Sequence, residues 1–282
     1  MKKKIFRWAK VLILLYCTIG IVFYYLQDTL LFHPLPLDRQ TKYDFGQPYT
    51  EINLNYNKET NLNIIQFKAT DTPSTRSGTP APPSTPVTPS TRPPDSSANG
   101  VVLYFHGNRD NINRYARHAR EFTARGYEVW MLDYPGFGKS TGPRTEQKLY
   151  DYALLLYKLA RSRYRPNQIV IYGKSLGTGI AAQLASVRDC RRLILECPYF
   201  SMVSLVRHYL PIYPVGSMLH YHFPTNEFLP AVTAPVTIFQ GTADGLIPLS
   251  NAERLKTLLK PGDQFIPFSQ FHITLDSLFK KH

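Results

Sequence analysis

Five residues, Gly173-Lys174-Ser175-Leu176-Gly177, join a strand-like run at 168–172 to a helix-like run of small residues that includes Ala181, Ala182 and Ala185. A strand that turns into a helix this tightly needs small neighbours, because the turn presents its serine in a strained backbone conformation. The helix N-terminus aimed at that serine also favours negative charge developing there. The alternation recurs on both sides. Strand-like runs at 101–105, 128–133, 192–196, 235–240 and 264–268 alternate with helical patterns at 113–125, 145–164 and 252–259. This predicts an α/β chain whose sheet is mostly parallel and covered on both faces. Ahead of it, 51–69 alternates apolar and polar residues around Asn57-Lys58-Glu59-Thr60, which predicts a leading antiparallel hairpin.

With 282 residues, 43% of them hydrophobic, the chain can bury one large domain plus a short accessory segment. From 71 to 100 the composition collapses to Pro, Ser and Thr. Such a stretch cannot bury enough surface to offset its ordering entropy and is expected to be a disordered insert. It interrupts one domain, since strands of the same sheet lie on both sides.

At the N-terminus, Lys2, Lys3, Lys4, Arg7 and Lys10 precede an apolar run from Val11 through Leu26, closed by Tyr24 and Tyr25. With Trp8 and Ala9 the run approaches the roughly 20 residues that cross a bilayer, and the tyrosines suit its interface. No A-x-A-like cleavage site follows, and Tyr16 stands where a lipoprotein signal needs a small residue before Cys17. Residues 1–27 are therefore expected to be a cytoplasmic tip and uncleaved single-pass anchor, and 28–282 the folded domain. The positive N-terminal side puts that domain on the outer face, periplasmic in a Gram-negative cell. The net charge of +13 is scattered, with Arg109, Arg114, Arg117, Arg120 and Arg125 among helix-like residues. No basic run interleaves with aromatics, so nucleic acid is not an expected partner; a basic surface beside an anionic membrane is. Cys190 and Cys197 flank one strand, too far apart for a cystine, and all three cysteines are expected to be free.

A serine hydroxyl is a poor nucleophile at neutral pH and needs a base. After a strand–serine–helix turn the partners follow in the order Ser, acid, His. Asp244 stands in Gly241-Thr242-Ala243-Asp244-Gly245, just past the apolar strand ending at Gln240. Loops at strand C-terminal ends are where open α/β sheets build their sites. Of the eight histidines, only His272 fits both the order and a strand-end position. Glu196, at the end of another strand, is the competing acid. An oxyanion hole needs two backbone N–H groups; Leu176, next to the serine, and Asn108 of His106-Gly107-Asn108 are the candidates, with His106 shaping the loop.

These blocks, in this order with Asp133-Tyr134-Pro135-Gly136-Phe137-Gly138-Lys139-Ser140, resemble the α/β-hydrolase family over 26–282 apart from the insert. Gln27-Asp28-Thr29-Leu30-Leu31-Phe32-His33-Pro34 after an apolar helix is similar to a membrane-anchored branch that includes relatives of eukaryotic protein depalmitoylases. The resemblance implies an α/β-hydrolase fold, with the 133–140 loop packed beside the site. It implies a catalytic triad of Ser175, Asp244 and His272 that cleaves an ester or thioester through a covalent acyl-enzyme. An amidase or peptidase would use the same triad, and a membrane-tethered scaffold with a silent site would keep the same fold. Dehalogenase and epoxide hydrolase relatives carry a carboxylate where Ser175 stands. Residues 198–227, rich in Tyr, His, Leu and Pro, are similar to the family's short cap, whose apolar side chains imply a lipid or acyl-type substrate; an ordinary connection packed on the sheet is the other reading. The insert is not a family feature, and Phe271 stands where a small residue commonly precedes the histidine. Nothing in the sequence indicates a metal or organic cofactor, and the oligomeric state is not legible.

Lengthening a flexible loop costs only about 0.6 kcal/mol per doubling. Deleting residues 72–97 is therefore expected to leave both the melting temperature and ester hydrolysis unchanged. A large fall in either would show that the segment packs or binds.

Overall fold

The computed structural model describes residues 2–70 and 98–269; His272 and residues 71–97 of the insert lie outside the described residues. The strands are β1 (His33–Pro34), β2 (Tyr49–Asn55), β3 (Asn61–Phe67), β4 (Gly100–Phe105), β5 (Arg109–Asp110), β6 (Tyr127–Leu132), β7 (Ile169–Lys174), β8 (Arg192–Glu196), β9 (Val236–Gly241) and β10 (Gln264–Phe268). The helices are α1 (Lys2–Leu31), α2 (Ile112–Tyr115), α3 (Ala119–Thr123), α4 (Glu146–Arg161), α5 (Gly177–Val187), α6 (Met202–Tyr209), α7 (Val215–Met218), α8 (Thr225–Phe228) and α9 (Leu249–Glu253).

Eight strands form one sheet in the order β10-β9-β8-β7-β4-β6-β3-β2. The six strands from β10 to β6 run parallel, and the hairpin β2–β3 closes the other edge antiparallel. This is an α/β-hydrolase fold with the leading hairpin read from the sequence. The hairpin turn is held by the Asn57 side chain, which accepts from the N–H groups of Glu59 and Thr60 at 2.9 and 2.8 Å.

Continuous apolar strands mean burial on both faces, and β4 displays it. Val101, Leu103 and Phe105 enter one core with Leu149, Leu156 and Ile180. Val102 and Tyr104 enter the other, with Ile112, Ala116 and Phe122. Alternate residues of a strand point to opposite faces, so a parallel strand covered on both sides has no polar face to spare. Helix α4 covers the first face. Thr145 caps it by accepting from Lys148 N at 3.2 Å, Glu146 opens it, and Lys158 and Arg161 close it in accord with the helix dipole. The helical pattern expected at 113–125 is divided: α2, a 3₁₀ turn at Ala116–His118, then α3.

Helix α1 is 30 residues long and the only described helix long and apolar enough to cross a membrane. It runs through residue 27 to Leu31, and Gln27 is buried. Phe32 follows, also buried, with its ring against those of Phe137 and Tyr221. β1 then pairs with β5, tying the segment behind the helix to the loop that leaves β4. Cys17 is exposed, Cys190 and Cys197 are half-buried, and all three are free. Burial pushes the thiols of Cys190 and Cys197 up to about 12.

Candidate active site

Ser175 stands where β7 ends and α5 begins, with φ of +49°. A residue bearing a Cβ pays of order 1–3 kcal/mol for that conformation, so the surroundings must impose it. They do so through the backbone. Ser175 N donates to Glu196 O at 2.8 Å, and Ser175 O accepts from Thr178 N at 2.9 Å and from the Thr178 hydroxyl at 2.6 Å. Both motif glycines are sterically required. A Cβ on Gly173 would lie 2.6 Å from Gly177 O, and one on Gly177 would lie 2.1 Å from Phe105 O. Overpacking of this kind costs about 1–3 kcal/mol or more. Gly177→Ala is accordingly expected to lower stability by at least about 2 kcal/mol, read from chemical denaturation. An unchanged midpoint would mean that the turn is looser than described.

The hydroxyl of half-buried Ser175 has no hydrogen-bond partner among the described residues. Neither do two backbone N–H groups beside it, those of Leu176 and Asn108. Leu176 opens α5, and its carbonyl accepts from Tyr199 Oη at 3.0 Å. The Asn108 loop comes close enough that a Cβ on Gly107 would sit 3.6 Å from Ser175 Cβ. Asn108 is held by the segment at the end of α1. Its side-chain Nδ2 donates to Leu31 O at 2.8 Å, and its carbonyl accepts from His33 N at 2.8 Å. The last turn of α1 thus clamps one of the two N–H carriers.

His106 lies beneath this loop, fully buried. Its Nδ1 is 2.7 Å from Gly107 O, which only accepts, so Nδ1 carries a proton. Nε2 faces Asp133 Oδ1 at 3.2 Å, and Asp133 also accepts from Ile112 N at 3.0 Å. Burial pushes the Asp133 carboxyl above its ordinary range, with His106 pulling it back. A histidine so enclosed shapes the loop and does not reach Ser175 as a base. The 133–140 loop folds over the same ring: Tyr134 Oη donates to His106 O at 2.9 Å, and the Tyr134 and His106 rings lie 4.2 Å apart. Its Gly136 and Gly138 take φ of +89° and +50°, a conformation glycine adopts without a Cβ penalty.

Asp244 lies two strands from Ser175 on the same sheet edge. Lys174 registers with Glu196, and Glu196 with Phe239. Asp244 is half-buried. Its Oδ1 accepts from Leu246 N and Ile247 N at 2.8 and 2.9 Å, and its Oδ2 has no partner among the described residues. Phe268, the last residue of β10, pairs with Gly241 at the start of this loop, and Thr242 N donates to Phe268 O at 2.9 Å. His272 comes four residues after Phe268 in the chain, outside the described residues. Glu196 is placed differently from Asp244. Its side chain is buried, Tyr172 Oη donates to Oε2, and Lys174 Nζ pairs with Oε1. Both oxygens are engaged, which leaves Glu196 to support the serine turn.

Sequence reasoning missed the contacts that hold this site: Leu31 and His33 on Asn108, Tyr199 on Leu176, and the His106–Asp133 pair. The one available signal was the polar-apolar block at 27–34 directly behind the apolar helix.

The sequence profile of the family described as "Serine aminopeptidase, S33" matches residues 96–228. The lysophosphatidylserine lipase ABHD12 of Danio rerio is 32% identical over 202 residues, 61% of this chain and 52% of that protein. The uncharacterized protein YfhR of Escherichia coli K12 is 26% identical over 184 residues, 63% of this chain and 64% of its own. The chain thus spans about half the length of ABHD12. Among solved structures, the esterase Pf2001 of Pyrococcus furiosus superposes with a TM-score of 0.58 at 15% identity, covering 88% of this chain and 92% of its own. An alpha-beta hydrolase from Vibrio vulnificus gives 0.57 at 17% identity, covering 79% and 74%. With these likenesses, the chain has the α/β-hydrolase fold, and its residues 96–228 are similar to the serine aminopeptidase family.

Proposed function

We propose that the chain is a membrane-anchored serine hydrolase that cleaves an ester or thioester of a hydrophobic acyl group through a covalent acyl-enzyme. Ser175 is the nucleophile, His272 the general base and Asp244 the acid that orients it. The N–H groups of Leu176 and Asn108 form the oxyanion hole. The observation that carries this reading is Ser175 at φ +49° with a free hydroxyl, beside two N–H groups that have no partner among the described residues.

In this reading His272 takes the hydroxyl proton as Oγ attacks the carbonyl carbon, and the developing oxyanion meets the two N–H groups. The imidazolium returns the proton to the leaving oxygen or sulfur as that bond breaks. Water, activated by the same histidine, then hydrolyses the acyl-enzyme. Strand ends two positions apart are separated by roughly 10 Å. One imidazole with a hydrogen bond at each ring nitrogen bridges such a gap. The free Oδ2 of Asp244 supports its role, as does the full engagement of Glu196.

The likeness to a lysophosphatidylserine lipase supports a lipid ester as substrate, as do the apolar residues of 198–227, which serve as the cap. Helix α1 anchors the chain with its basic end in the cytoplasm, and the domain at 28–282 faces the outer side. p-Nitrophenyl esters from acetyl to palmitoyl, compared with p-nitroanilides of the same acyl groups, test the reaction class. Esters are expected to be cleaved faster throughout, with kcat/KM rising towards longer chains. Faster anilide cleavage would transfer the reading to an amidase or peptidase.

A further inference from the structure

The cap of this chain is clasped to the apolar helix at two levels. Near the helix end, Gln27 Nε2 donates to Met218 O at 3.1 Å, and Gln27 Oε1 accepts from His220 N at 2.7 Å. Eleven residues earlier, Tyr16 stacks on Tyr213 with ring centroids 4.6 Å apart, Tyr16 Oη donates to Ile212 O at 3.2 Å and Tyr213 Oη donates to Tyr16 O at 3.1 Å. Eleven helical residues rise roughly 16 Å, and half the hydrocarbon thickness of a bilayer is roughly 15 Å. With Gln27 and Asp28 at the headgroup level, Tyr16 sits near the bilayer midplane and carries the cap tip with it.

The tip has the chemistry that depth demands. Residues 209–219, Tyr-Leu-Pro-Ile-Tyr-Pro-Val-Gly-Ser-Met-Leu, contain no charged side chain, while Arg207 and His208 precede them and His220 follows. Ile212 is 71% exposed and Tyr209 50%. Backbone polar groups facing hydrocarbon must be satisfied internally. The N–H groups of Leu210, Tyr213, Val215, Ser217 and Leu219 have carbonyl partners, Pro211 and Pro214 have no N–H, and the Ile212 carbonyl is taken by Tyr16, while the Ile212 N–H has no partner among the described residues. An apolar groove of about 440 Å³ runs between helix and tip, lined by Tyr16, Cys17, Gly20, Tyr24, Tyr213 and Met218. At the root of the tip, Tyr209 Oη donates to Leu246 O at 2.7 Å, two residues past Asp244.

We infer that residues 209–219 are a second membrane-inserted element, which dips into the leaflet beside α1 and takes a lipid acyl chain in the groove between them. The inference rests on reading α1 as a membrane span and deepens the lipid-ester reading. It gives a route from the leaflet to the proposed site. A substrate would slide along Tyr213 and Tyr209 towards Asp244 and Ser175 without its acyl chain leaving hydrocarbon.

The test uses the full chain with Trp8→Phe, reconstituted in phosphatidylcholine vesicles brominated at mid-chain. The indole introduced by Ile212→Trp is expected to be quenched by the bromines. That introduced by Val187→Trp, at the far end of α5 on the opposite edge of the sheet, and the native Trp130, which is buried, are not. Retention after alkaline carbonate extraction checks the span itself. A retained Ile212→Trp chain whose added indole is unquenched overturns the insertion and leaves the anchor standing; a chain stripped by carbonate overturns both. Independently, Ile212→Asp is expected to lower kcat/KM on vesicle-borne long-chain esters by about tenfold or more, because a charge is costly in hydrocarbon. Hydrolysis of p-nitrophenyl acetate by the same variant is expected to be unchanged. Equal activity on both substrates relative to the parent would contradict the insertion.

Discussion

Replacing Ser175 by alanine is expected to cut hydrolysis of a short p-nitrophenyl ester by about 10⁴- to 10⁶-fold, the usual loss for a triad nucleophile. The fold is expected to survive, because the Ser175 hydroxyl has no partner among the described residues and its removal strands no polar atom. The backbone bonds to Glu196 O and from Thr178 are made by main-chain atoms that alanine keeps. Alanine also bears a Cβ, so the penalty at φ +49° carries over unchanged. Glycine differs. Ser175→Gly relieves the positive-φ strain and is expected to be about 1 kcal/mol more stable than the parent, after allowance for glycine's greater chain entropy, while being equally inactive. Esterase activity in Ser175→Ala at parental levels would remove Ser175 from the chemistry.

The second large effect separates the two candidate acids. Asp244→Asn keeps an acceptor for Leu246 N and Ile247 N but places an amide donor where the proposed histidine needs an acceptor. A tautomer fault of this kind costs about 10⁴ in kcat. Glu196→Gln acts elsewhere. It leaves Lys174 without its counter-charge at the serine turn, where Lys174 is 24% exposed. The partial exposure softens the penalty, so a stability loss of about 1–3 kcal/mol is expected, with kcat lowered by less than about tenfold. The measurements are kcat and the denaturation midpoint of both variants. If Glu196→Gln proved the more damaging to kcat at equal stability, the acid would be Glu196.

The fold was legible because its signals are local and repeated. Each parallel strand is a short apolar run, and the turn at 173–177 joins one such run to a helix of small residues, so period and length suffice to read them. The leading hairpin was legible for the same reason, since Asn57 sits four residues before Asn61 and organises its own turn. The positions of Ser175 and Asp244 followed from strand ends. Contacts across great chain separation were not legible. Nothing in the sequence near Leu31 announces that its carbonyl receives the Asn108 amide, 77 positions away. Tyr213 bonding Tyr16 is a matter of 197 positions. The pairing of His106 with Asp133 was hidden differently: the order of the blocks already marks His106 as shaping its loop, but nothing beside it names Asp133 as the group its ring faces. The division of 113–125 into three short pieces was also beyond period analysis, since all three keep the same buried face: Ile112, Ala116, Ala119 and Phe122.

The central claim is that Ser175 is a nucleophile activated by its surroundings. A fluorophosphonate probe reacts with such serines and not with ordinary hydroxyls, and the adduct can be located by peptide mapping. Intact full-length chain is expected to take up one equivalent, on the peptide containing Ser175. Ser175→Ala, His272→Ala and chain unfolded before exposure are expected to take up none. Labelling of the intact chain at any other residue, or undiminished labelling of Ser175→Ala, would contradict it.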